Sequence, residues 1–171
     1  MRGNQNFGIL YALLAVGQIV LCNYTALGPY IMLSMLPAMV FCIPTTVGTT
    51  ACMLIAFATG FAVDWLSEGI IGLNISALVP VALARKGIIK VFLGEDLITR
   101  GDRFSFRKNG VAKISVTLAI VLAIYLGIYI ILDGAGSRPD WFNLTRFAAS
   151  FACSFILSLV VTNILTPDDR K

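Results

Sequence analysis

Few residues in this chain could do chemistry, and most of them lie where water does not. There is no histidine, which removes the commonest general base, proton switch and neutral metal ligand. The cysteines are Cys22, Cys42, Cys52 and Cys153. None forms a CxxC pair and each sits inside an apolar run, so they read as small apolar fillers. No Ser/His/Asp set, HExxH helix, paired intraspan carboxylates or Gly-rich phosphate loop occurs. Gly69, Gly72 and Gly87 do not make a dinucleotide fingerprint. These residues argue against an enzyme and imply neither cofactor nor metal. The most pointed acidic residue is Asp64. It ends a small-residue stripe of Gly48, Cys52, Ala56 and Gly60, at the four-residue spacing that shares one helix face. A carboxylate there is costly unless it reaches water, a donor or a cation. Two roles follow: Asp64 accepts hydrogen bonds from the next turn or caps the next helix, or it anchors a partner or ligand.

The elements that hold these residues are membrane helices. Of 171 residues, 58% are apolar and 13% charged, against about 45–50% and about 25% in soluble domains. The mean hydropathy is +0.87. A bilayer core about 30 Å thick takes about 20 apolar residues in a helix. Candidate spans are Phe7 to Cys22, Leu27 to Cys42, Val47 to Val63, Ile70 to Ala84, Ile114 to Leu132 and Leu144 to Leu165. The expected fold is therefore all-α: a single integral membrane domain over residues 1–171, a polytopic bundle of about six transmembrane helices. Pro37 and Pro80 fall within short spans and are expected to bend them. The first run has one basic residue ahead of it and no Ala-x-Ala site near Cys22, so it reads as a retained helix.

Charge sets the orientation. A loop from Arg85 to Lys113 carries Arg85, Lys86, Lys90, Arg100, Arg103, Arg107, Lys108 and Lys113 against Glu95, Asp96 and Asp102. The rest of the chain has a slight acidic excess. The positive-inside rule makes this loop cytoplasmic and, with six spans, both termini too. The loop reads as charge held against anionic lipid, or as a docking surface for a cytoplasmic protein; nucleic acid is not an expected partner. Arg85 to Leu93 could extend the fourth helix along the inner interface. Further small-residue stripes are Ser115, Ala119, Ala123 and Gly127 in the fifth span, and Ser150, Ser154, Ser158 and Thr162 in the sixth. Each would let another helix approach closely, within the bundle or from a partner.

The segment from Gly60 to Asn74 resembles the central motif of the bacterial rod shape-determining protein MreD family. That motif is a Gly, three apolar residues, an Asp, two apolar residues, often a Ser, and then a Gly opening the next helix. Gly60, Asp64, Ser67 and Gly72 match it, and the likeness continues to Gly94. The resemblance implies a non-enzymatic subunit of the cell-elongation machinery in the bacterial inner membrane. It would bind an MreC-like membrane protein through the motif, Asn74 included. It would thereby help couple MreB-type filaments to a peptidoglycan synthase. The family's fold resembles the substrate-binding subunits of energy-coupling-factor vitamin transporters. That supplies an alternative, a substrate-capturing transporter subunit with Trp65, Asn74, Trp141 and Asn143 around an outward pocket.

Overall fold

The structure is a computed structural model that describes residues 7–24, 30–94, 110–134 and 138–166, with Glu68 by its backbone alone. Six α-helices run through the described residues: α1 (Phe7–Tyr24), α2 (Leu36–Phe41), α3 (Thr49–Val63), α4 (Leu73–Phe92), α5 (Val111–Gly134) and α6 (Asp140–Leu165). A π-helical turn, Asp64–Glu68, continues α3. Four helices are long and apolar enough to cross a membrane: Phe7–Tyr24, Thr49–Ser67, Val111–Gly134 and Asp140–Leu165. The α4 helix, at 20 residues, has the length, but it carries Arg85, Lys86 and Lys90.

The expected second span, Leu27 to Cys42, is not a spanning helix. Residues 27–29 lie outside the described residues; of the rest, residues 31–35 have no regular structure and only Leu36–Phe41 is helical. Pro37 does not bend a longer helix. It sits in the first turn of α2, where its missing N–H has no helical acceptor to satisfy. The segment still travels the length of the bundle, running beside α6 in the same direction. Tyr30 meets the ring of Phe142, Met32 and Ser34 meet Ser150 and Ser154, and Cys42 meets Thr162. Ser150 to Thr162 is about 18 Å of helix.

Non-helical backbone is tolerated at that depth only when protein groups replace the missing hydrogen bonds. Here two elements supply them. Ser150 Oγ accepts from Met32 N–H at 2.9 Å, and Ser154 Oγ accepts from Ser34 N–H at 3.1 Å while donating to Met32 O at 3.1 Å. From α1, Gln18 Oε1 accepts from Met35 N–H at 2.8 Å and Gln18 Nε2 donates to Leu33 O at 3.0 Å. The short helix α2 is wholly buried and touches each of the other five helices. It is the plug around which α3, α4, α5 and α6 pack in succession.

Arg85 completes this arrangement, and it is not a loop residue. It lies within α4, almost fully buried, and its guanidinium donates to Phe41 O at 2.9 Å and to Ile43 O. The last carbonyls of a helix lack intrahelical donors and carry the negative end of its dipole. A buried guanidinium there answers both needs. Of the other expected loop cations, Lys86 and Lys90 are on α4 and Lys113 is on the first turn of α5. Arg100, Arg103, Arg107 and Lys108 lie outside the described residues.

Candidate functional site

The motif residues assemble at the end of the bundle where α1 and α3 finish. Gly60 comes first, because it sets the distance between α3 and α4. A Cβ on Gly60 would stand 2.9 Å from Ile75 N and 3.0 Å from Ile75 Cα. Only a residue without a side chain allows that backbone approach. One turn later the helix widens, and Gly69 N–H donates to Asp64 O at 2.8 Å, five residues back. Gly69 (φ 69°) then reverses the chain in the left-handed region, and Gly72 (φ 116°) does so again ahead of α4.

This turn folds the chain back over Asp64, which is fully buried. Its Oδ2 accepts from Gly72 N–H at 2.8 Å, with Ile75 N–H more distant at 3.4 Å. Its Oδ1 accepts from Asn74 N–H at 3.0 Å and from Asn74 Nδ2 at 2.8 Å. The carboxylate thus takes up the orphan donors of the first turn of α4 and faces the positive end of that helix's dipole. The Tyr125 hydroxyl of α5 donates to Asn74 Oδ1. Asp64, Asn74 and Tyr125 form a buried set joining α3, α4 and α5. Of the two roles the sequence allows Asp64, the geometry is that of the cap. Both carboxylate oxygens are engaged by donors fixed in the fold, which leaves little room for proton transfer to a substrate.

Ser67 is the motif residue that departs from this set. Its Oγ is buried without a partner, and the residue lines a cavity of about 290 Å³. The cavity is bounded by the π-turn and the start of α4, by residues 31–33, and by the facing ends of α5 and α6. In its wall lie Asp133 at the end of α5 and Arg146 in the second turn of α6. Arg146 Nη1 and Arg138 Nη1 both bond Asp133 Oδ2, the latter at 2.6 Å. The four residues expected around an outward pocket do not gather there. Asn74 belongs to the Asp64 set, Trp65 and Trp141 are exposed, and Asn143 stands against Gly134.

The remaining stripes divide. Cys52, Ala56, Gly60 and Asp64 of α3 are buried, as are Ser150, Ser154, Ser158 and Thr162 of α6. In the α6 stripe, Ser150 and Ser154 receive an extended backbone, and the short helix α2 also packs on α6. Ser115, Ala119, Ala123 and Gly127 of α5 are half-buried. The packed face of α5 is instead the large one, including Leu118, Leu122 and Tyr125.

Sequence reasoning missed Gln18, Tyr125 and the Asp133–Arg146 pair. The pair had a signal. Asp133 and Arg146 flank a short Gly- and Pro-containing link between two long apolar runs, and an antiparallel helix pair must bring such flanks together. Gln18 had one as well, since an amide in the middle of an apolar span needs a polar partner.

No family model, no curated protein and no solved structure matches the chain.

Proposed function

We propose that the chain is a non-enzymatic integral membrane subunit of a bacterial cell-elongation complex, as its MreD-like motif implies. On this reading it lies in the inner membrane with both termini cytoplasmic. It binds an MreC-like membrane protein and helps couple MreB-type filaments to a peptidoglycan synthase.

One observation carries the reading. The segment Gly60–Asn74, where the family resemblance is strongest, forms a single rigid corner rather than a reactive site. Asp64 and Asn74 are spent internally, on holding α3, α4 and α5 together. Its apolar residues Trp65, Leu66, Ile70 and Ile71 stand exposed, with Trp65 braced edge-on against Phe61 at 5.5 Å. A fixed corner with an apolar outer face suits recognition of another membrane protein, where close packing carries much of the association. The orientation has support too. Lys86, Lys90 and Lys113 lie toward the end of the bundle where α1 begins and α6 finishes, opposite the motif. The positive-inside rule assigns that end to the cytoplasm.

The test is co-expression with an MreC-like protein and affinity recovery in detergent. Trp65→Ala combined with Leu66→Ala is expected to lower partner recovery about tenfold, or about 1.4 kcal/mol, without changing the melting temperature. Full recovery by a folded double variant would contradict the reading.

A further inference from the structure

Helix α4 has two opposite faces. Ala77, Leu78, Val81, Ala82, Arg85 and Ile89 are buried against its neighbours. On the other side, Ser76, Pro80, Leu83 and Gly87 recur at three- and four-residue spacing, which puts them on one face. All four are exposed, and a Cβ on Gly87 would meet nothing within 4 Å.

Depth sets that face apart from an ordinary lipid-facing one. α4 packs on α3 and α5, both long and apolar enough to span a membrane. Ile75 lies against Gly60 of α3, and Gly60 is about 10 Å of helix short of Ser67, where that apolar span ends. Lys86, the first lysine of α4, is about 15 Å beyond Ser76. Ser76 therefore lies within the hydrocarbon, about 10 Å or more from either polar boundary.

Ser76 presents two polar groups at that depth. Its hydroxyl has no partner among the described residues. The hydroxyls of Thr59, Thr117 and Thr162, by contrast, turn back onto the carbonyl four residues earlier. The Ser76 carbonyl is the one that an N–H at position 80 would reach, and Pro80 has none. An unmatched polar group in hydrocarbon is costly, and a proline inside a membrane helix is tolerated where a neighbour serves the carbonyl it frees. Among the described residues nothing covers this face.

The face is self-complementary. Ser76 offers one donor and one acceptor at a single depth. Two copies of the chain insert in the same orientation, so a two-fold axis along the membrane normal sets α4 beside its copy with Ser76 facing Ser76. Each hydroxyl can then donate to the Ser76 carbonyl of the other copy. Toward the inner end, Leu83 packs across the axis and Gly87 lets the two backbones approach. Lys90 continues the face about 21 Å beyond Ser76, at the inner rim, where salt and anionic headgroups screen it from its copy.

We propose that a second copy of this chain docks on the exposed face of α4, forming a two-fold dimer with reciprocal Ser76 hydrogen bonds. The inference goes beyond the elongation-complex reading. It needs no other protein, so either can fail alone.

The experiment uses the full chain reconstituted in lipid vesicles. Copies labelled at the C-terminus with a donor or an acceptor fluorophore are mixed, and energy transfer is followed as the protein-to-lipid ratio falls. Three variants accompany the wild type, each checked for folding by its melting temperature in detergent. Ser76→Ala removes the hydroxyl. Pro80→Ala returns an N–H to the Ser76 carbonyl. Gly87→Leu fills the approach from a position where a Cβ meets nothing in its own chain. Ile156→Ala, on the exposed side of α6, is the control. We expect a saturable dimer in the wild type and the control, with transfer above that of random crowding. Ser76→Ala and Pro80→Ala should each weaken it about fivefold, and Gly87→Leu about tenfold or more. Pro80→Ala separates association from stability, because it should raise the melting temperature while lowering energy transfer. Transfer no greater than random crowding in the wild type, or full association by any folded one of the three variants, overturns the proposal. Equal weakening by Ile156→Ala overturns it as well, by placing the interface elsewhere.

Discussion

Asp64 and Asp133 sit at the same end of the bundle, yet they are stabilised in opposite ways. Asp64 is fully buried, and its closest donors are two backbone N–H groups and one amide, with a third N–H more distant, all fixed by the turn and by α4. Asp133 is met by the side chains of Arg138 and Arg146. Backbone donors at a helix start have one use, and the fold consumes it. A guanidinium presents five N–H donors in a fork, so one carboxylate leaves capacity over. A carboxylate capped by backbone is therefore part of the architecture, whereas one paired with arginine leaves donors over, among them the buried Arg146 Nε.

The strongest way to break this contrast is at Asp64 itself. Asp64→Ala leaves three close donors, on Gly72 and Asn74, buried without an acceptor. At about 1–3 kcal/mol per orphaned group, the variant is expected to lose at least about 3 kcal/mol, read as a large fall in melting temperature in detergent. Asp64→Asn keeps one acceptor oxygen and should lose less. Next comes the helix approach that brings the donors within reach. Gly60→Ala places its Cβ 2.9 Å from Ile75 N, which overpacks a contact between backbones and should cost about 1–3 kcal/mol. Gly17→Ala in α1, where a Cβ would meet nothing within 4 Å, is the matched control. It should be neutral or stabilising by up to about 1 kcal/mol.

A smaller effect is expected from the serine ladder. Ser154→Ala removes the partner of both Ser34 N–H and Met32 O, at a cost of about 1 kcal/mol. Hydrogen exchange should quicken at Ser34 more than within α2. The smallest stability change is expected at the half-exposed partner of Asp133. Arg138→Gln leaves Asp133 paired with Arg146, so melting should shift by less than about 1 kcal/mol.

The long helices were legible because length and apolar content decide them: α1, α5 and α6 fall close to their expected bounds. The corner was legible in outline, since Asp64 closing a stripe of small residues had to find donors, and Gly72 marked where the chain could turn. What escaped has a common cause. Hydropathy reports that residues 31–43 are buried but not how their backbone is satisfied, and the answer lay in Gln18, Ser150 and Ser154, far away in sequence. The same holds for Arg85. Its proximity to a run of lysines made it look like a loop charge, while its acceptors belong to a segment some forty residues earlier. The serines of α6 were recognised as a packing face. That their hydroxyls bond an extended chain could not be read from their spacing.

The most direct test is a single set of thermal melts in detergent on the wild type, Asp64→Asn and Arg138→Gln. If backbone donors make Asp64 part of the architecture while side chains hold Asp133, the two substitutions separate. Asp64→Asn melts clearly lower, and Arg138→Gln melts within about 1 kcal/mol of the wild type. If the two variants lose the same stability, or Asp64→Asn melts with the wild type, the distinction between the two carboxylates is wrong.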